Sequence, residues 1–220
     1  VDFLVCAGLQ ASAIAGADGG AQRRWAELAA RRRLSAPPGA FAAALSAAAV
    51  LASPMVAAPL REAMCAPLGD GAAALVLSVR LPAPGRRSVR LTGMGYDLEA
   101  HAMGDRELTR WDGLGRAFQR ARADAGLGGS NAVIDLAEPC CLYPHEEELF
   151  RDACAIDDET VVSPEGGLFG GTAPVVAGLS RLIAAARGLR DNRHYRRALA
   201  HAAWGPAGQG QAVALLEAAD

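Results

Sequence analysis

Apolar positions recur along this chain in two rhythms, unbroken runs that suit buried strands and three-to-four-residue spacings that suit helices. Residues 3–8 (FLVCAG) are such a run and end at a glycine, which predicts a buried strand, with a Gly/Ala/Asp loop at 16–20. Residues 21–33 set Trp25, Leu28 and Ala29 on one side and arginines elsewhere, an amphipathic helix. A second helix is predicted after Pro38, running through the alanine-rich stretch 40–52 as a buried helix. An extended piece bounded by prolines follows at 53–60, and a strand is predicted over 70–80, where small residues pass into Leu75, Val76 and Leu77.

Pro82, Pro84 and Gly85 mark a linker, dividing the chain into residues 1–80 and 81–220. The second portion reads strand (88–94), helix (107–125), strand (132–137), helix (146–154) and helix (174–189). It closes with strands at 196–203 and 211–216, joined by a Gly-Pro-Ala-Gly-Gln turn as an antiparallel hairpin. Strands alternating with helices give an α/β layered class.

Composition narrows the chemistry. A 220-residue chain that is 51% hydrophobic buries a real core, and a net charge of -2 offers no surplus for a phosphate backbone, so nucleic acid is not expected as a partner. Lysine is absent, which excludes a lysine Schiff base within these residues. The cysteines Cys6, Cys65, Cys140, Cys141 and Cys154 form no C-x-x-C pair and no metal-like spacing, so no metal is expected. Reduced thiols fit a cytoplasmic protein. The apolar run 40–52 is too short to span a membrane.

Three segments in order then resemble the thiolase-like superfamily, in the branch of sterol-carrier-protein thiolases and thiolase-like lipid-transfer proteins. SPMVAAPLREAMCAPLGDGAAALVL (53–77) is similar to that family's P-L segment followed by an acidic-Gly-Ala-Ala strand. SPEGGLFGGTAPVVAGLSRL (163–182) is similar to its glycine-rich loop with G-H-P and the helix after it, and HAAWGPAGQGQAVALLE (201–217) to its closing hairpin. AEPCCLYPHEEELF (137–150) resembles its Asn-Glu-Ala-Phe or His-Asp-Cys-Phe box. The resemblance implies an αβαβα layered fold, incomplete at the N-terminus, in which residues 1–80 are the remainder of the N-terminal half and 81–220 the C-terminal half. The nucleophilic cysteine then lies in an upstream segment. A second reading makes Cys6 the nucleophile, since CAGLQA echoes C-x-S-G-x-x-A without its serine.

The resemblance also implies what the chemistry needs: a thiolate, a general base, a second acid/base thiol and donors for an enolate oxygen. Ala173 stands where the family's histidine is expected, and Trp204 where its second cysteine is expected. The Asn or His of the box falls on Cys140. If this alignment is right, the 163–178 turn and the closing hairpin meet in the fold and share a cavity.

Cys140, Tyr143 and His201 are the candidate catalytic residues, and Gly166, Gly167, Gly170 and Gly171 the candidate ligand-binding loop. Packing also accounts for Tyr143, for the cysteines and for His201 as a core histidine. His145 with Glu146, Glu147 and Glu148 reads as a solvated helix start rather than a metal site, Arg23, Arg24 and Arg31 to Arg33 as a solvated helix face rather than partners for the phosphates of coenzyme A, and Asp70-Gly71 as tight packing at a strand entry. The function implied is acyltransfer or carbon–carbon cleavage on a coenzyme A thioester substrate, without a resident cofactor. The protein would act as a homodimer, with a zinc-ribbon/OB-fold acyl-CoA-binding protein as a possible partner. The alternative is a non-catalytic subunit or lipid-transfer component.

Overall fold

The computed structural model describes residues 2–16, 19–37, 43–79, 87–129 and 132–219. The linker at 82–85 and the proposed helix start at Pro38 lie outside the described residues.

The first portion is helical from its beginning. Asp2 Oδ1 accepts the Leu4 N–H at 2.8 Å and caps α1 (Phe3–Ala15), so the strand expected at 3–8 is a helix. An apolar run of that length is ambiguous by periodicity, and the capping aspartate decides it. Gly8 faces the chain at Ala57 and Ala58, leaving no room for a side chain. α2 (Ala21–Leu34) forms as expected and buries Trp25, Ala26, Leu28 and Ala29. The next helix, α3 (Ala47–Ala52), is shorter than expected because Ser46 Oγ caps it by accepting the Ala49 N–H at 3.1 Å. It buries only Val50. A small hairpin of β1 (Met55–Ala57) and β2 (Leu60–Arg61) follows. Trp25, Val50, Leu60 and Met64 form one core among these elements, which Phe169 joins from the second portion.

Residues 70–78 belong to no strand, against expectation. They run past Val89, Leu91 and Leu182 of the second portion, with Leu75 partly covered and Val76, Leu77 and Val79 largely in solvent. A ladder needs a neighbouring strand, and none lies beside this stretch among the described residues.

The second portion is built on one five-stranded mixed sheet, in the order β3 (Ser88–Leu98), β7 (Gly210–Ala219), β6 (Arg197–Trp204), β4 (Leu136–Glu138) and β5 (Val161–Val162). β3, β7 and β6 are antiparallel, and β6, β4 and β5 are parallel. β6 and β7 are the expected closing hairpin. α4 (Asp112–Asp124) and α5 (Pro144–Ala153) cover one face through Leu114, Phe118, Leu149 and Phe150. α6 (Ala177–Asp191) covers the other through Ala185 and Leu189. Gly93 and Gly95 let β3 run against the backbone of α4, since a side chain at either would overlap a carbonyl oxygen of that helix. Among the described residues no helix is long and apolar enough to cross a membrane.

Candidate functional site

Where the first portion meets the 140–143 turn, the chain encloses a largely apolar cavity of about 770 Å³. Leu4, Leu45 and Val56 line one side, Leu142 and Tyr143 the other, and Arg33 and Cys65 the wall between them.

The 140–143 turn is held from below by the start of α5. Pro144 occupies the first turn of the helix, where its missing N–H costs nothing. The Glu146 carboxylate folds back to accept the N–H groups of Leu142 (2.7 Å) and Tyr143 (3.2 Å). Glu146 is buried, and desolvation raises its pKa to about 7 against the two hydrogen bonds that pull it down. It is a carboxyl group poised to change protonation near neutral pH. Burial first, and then the Glu146 charge, push the Tyr143 phenol well up from its ordinary value.

The acidic helix start is therefore internal rather than solvated. Glu147 is clamped by Arg32, with Nε to Oε2 at 3.0 Å and Nη2 to Oε1 at 2.5 Å, while Arg32 Nη1 donates to the Val162 carbonyl at 2.6 Å. Arg33 is buried too and donates to the carbonyls of Ala63 (3.2 Å) and Cys65 (3.0 Å). Arg32 and Arg33 thus leave the solvated face assigned to them, because α2 packs that side of its last turn against the neck between the two portions. His145 is fully buried between Trp25 and Tyr143, with neither ring nitrogen hydrogen-bonded, and desolvation lowers its pKa to about 3.

Cys140 and His201 come together. The Cys140 N–H donates to His201 Nδ1 at 3.3 Å, and His201 Nε2 donates to Gln211 Oε1 at 2.6 Å. Gln211 Nε2 in turn donates to the Gly208 carbonyl at 2.6 Å, so the chain of donors fixes the imidazole as the Nε2–H tautomer. Packed by Trp111 and Phe150, His201 is neutral, with a pKa lowered to about 4 by desolvation. Tyr143 stands apart from this pair; its ring stacks on His145 at 5.9 Å and it lines the cavity.

Burial keeps the thiols protonated: Cys65 is raised to about 11, and Cys140, Cys141 and Cys154 are also raised. Cys6 is buried in α1. The site therefore offers a carboxyl, a phenol, neutral thiols and a neutral imidazole, groups suited to proton transfer and hydrogen-bond donation.

In the glycine-rich loop, Gly166, Gly167 and Gly171 have positive φ. A side chain at Gly166 would overlap the Arg32 carbonyl, and one at Gly167 would approach Ser163 Oγ to 2.9 Å. A single turn of 3₁₀ helix runs from Gly167 to Gly170 and buries Leu168 and Phe169. Thr172 then pairs with the 67–69 segment, donating its N–H to Pro67 O (2.9 Å) and accepting that of Gly69 (2.8 Å). A Cβ on Gly71 would lie 3.0 Å from that of Ala173, but Asp70 and Gly71 are exposed and lead into no strand, so the tightly packed strand entry expected there is not found. The 163–178 segment and the closing hairpin do meet, for Gly178 abuts Ala202. The large cavity, however, is lined by neither Ala173 nor Trp204. Trp204 is 44% exposed at the sheet rim, stacked on Tyr96 at 5.5 Å.

Arg33 and Cys65 are not among the candidate catalytic or ligand-binding residues, and Glu146, a titratable neighbour of the candidate residues in the sequence, reads there as part of a solvated helix start. Only Glu146 carried a signal, its position three residues after the helix-capping Tyr143.

No family model and no curated protein matches the sequence. Solved structures do match the fold. A monomeric SCP2-thiolase-like protein (type 1) from Mycobacterium smegmatis superposes with a TM-score of 0.73 at 17% identity, over 99% of this chain and 52% of the other. The Ltp2-ChsH2(DUF35) aldolase superposes with a TM-score of 0.76 at 14% identity, over 97% of this chain and 63% of the other. The chain thus spans between half and two-thirds of the structures it matches.

Proposed function

From the thiolase-like fold just described, we propose that this chain handles an acyl-CoA thioester, as part of an acyltransferase or carbon–carbon cleaving enzyme of lipid or steroid side-chain metabolism. The observation that carries the reading is the buried Glu146, with a pKa near 7, behind Tyr143 at the wall of an apolar cavity. Retro-aldol cleavage uses a carboxyl and a phenol directly and asks for no thiolate, which the raised thiols Cys65, Cys140, Cys141 and Cys154 do not supply. In this reading ionised Glu146, which touches Tyr143 at its backbone N–H, is the final acceptor of the proton of a β-hydroxyl, with Tyr143 at the cavity wall between them. The bond between the α- and β-carbons then breaks, the β-carbon leaves as a carbonyl, and the thioester enolate takes that same proton back from Glu146 at its α-carbon. Cys140 and His201 brace this turn through their own hydrogen bond, and Leu168 of the glycine-rich loop packs against Cys140.

A second reading is a non-catalytic subunit or lipid-transfer component that supports a partner protein. The protonated thiols, Ala173 and Trp204 favour it, as does likeness to an aldolase that is itself named as an Ltp2-ChsH2 assembly. A homodimer, a zinc-ribbon/OB-fold partner and a cytoplasmic setting belong to the proposal as well.

The test is incubation with a panel of β-hydroxy- and β-keto-acyl-CoA esters, with release of the cleaved carbonyl product as readout. Turnover of a β-hydroxy ester that falls by about 10²-fold or more in Glu146→Gln and Tyr143→Phe supports the lyase reading. Absence of turnover with retained formation of a protein complex supports the second.

A further inference from the structure

Arg33 is a buried cation without a counter-ion. Its residue is 8% exposed, and its partners are two backbone carbonyls, Ala63 O and Cys65 O. Among the described residues no carboxylate lies within ion-pairing distance of it, whereas its neighbour Arg32 holds Glu147 with two nitrogens. A guanidinium of low exposure with only neutral acceptors leaves part of its charge uncompensated, and an anion beside it would complete the pairing.

The place where that anion would sit is open. Arg33 belongs to the wall of the 770 Å³ cavity whose other surfaces are Leu4, Leu45, Val56, Leu142 and Tyr143. Inorganic anions would gain nothing from those apolar walls, and a neutral lipid nothing from the cation. Glu62 also borders the cavity, but it is exposed, where water and salt screen its charge.

We infer that this cavity binds a free carboxylate with an apolar tail, a fatty-acid-like monocarboxylate, its headgroup paired with Arg33 and its tail along Leu45, Val56 and Leu142. The site stands beside the acyl-CoA reading without depending on it, since a free acid carries its charge at the very carbon that a thioester neutralises.

Calorimetric titration of the full chain with dodecanoate, dodecan-1-ol, acetate and dodecanoyl-CoA tests this. The expected result is saturable binding of dodecanoate, affinity for dodecan-1-ol weaker by about tenfold or more, and no binding of acetate. Val56→Trp, which adds bulk to the lining while leaving Arg33 in place, is expected to weaken dodecanoate by about tenfold or more, as is Arg33→Met. Because Arg33 also braces two carbonyls, loss of binding in Arg33→Met alone does not separate binding from folding, and Val56→Trp keeps the inference open to refutation. Equal affinity for acid and alcohol, or unchanged dodecanoate affinity in Val56→Trp, overturns it. Binding of dodecanoyl-CoA without dodecanoate overturns it while leaving the acyl-CoA reading intact. Dodecanoate binding with neither binding nor turnover of any thioester upholds it and removes the acyl-CoA reading.

Discussion

The backbone N–H of Cys140 points at Nδ1 of His201 across 3.3 Å, so the turn before α5 and the closing hairpin are joined by a single imidazole. With Gln211 on its other nitrogen, His201 satisfies two buried partners at once. Replacing it with phenylalanine keeps most of the volume and strands both. His201→Phe is expected to destabilise the chain by about 2–4 kcal/mol at pH 7, read from the midpoint of urea unfolding.

His145 differs from His201 in having no partner at either nitrogen. An unsatisfied buried polar group costs roughly 1–3 kcal/mol, so His145→Phe is expected to raise the thermal midpoint at pH 7.

Both histidines are held neutral, with pKa values lowered to about 4 for His201 and about 3 for His145 from an ordinary 6.5. Between those values and 6.5 the unfolded chain binds more protons than the folded one. Their stabilisation is therefore present above pH 6.5 and declines as pH falls toward 4 and then 3. Thermal melts from pH 7 down to pH 4 should show this acid limb, and His145→Phe should flatten it.

Glu146 works in the opposite sense. Its pKa is raised to about 7, so the folded chain binds the extra proton between an ordinary 4.5 and 7, and stability is lost as pH rises through that window. Glu146→Gln keeps an acceptor for the Leu142 and Tyr143 N–H groups without the charge. It should match the parent below pH 4.5 and exceed it at pH 8 by roughly 1–3 kcal/mol, measured by denaturant unfolding at both pH values.

Gly95 has no space for a methyl group, because the Ala117 carbonyl of α4 occupies it. Gly95→Ala must push helix from sheet and is expected to cost about 3 kcal/mol or more in the same unfolding assay.

Much of the layered portion was legible in the sequence, because the closing hairpin, α4, α5 and α6 carry period and punctuation together. The stretch 3–8 misled because its side-chain pattern suits either element and the deciding feature is one aspartate outside it. The stretch 70–78 has the residues of a strand but lacks the adjacent strand that would make it one. At the site, the 140–143 turn was identifiable, yet the burial of Arg33, Glu146 and His145 was not. Charged side chains at a helix end look solvated until the packing of α2 against α5 is known.

The three tryptophans fall into two optical classes. Trp25 and Trp111 are 0% and 2% exposed, whereas Trp204 stands 44% exposed on Tyr96. An aqueous quencher such as iodide should therefore dim one indole and spare two. The chain carries its own fluorescent gauge at the hairpin tip, able to register anything that settles over that rim without an added dye.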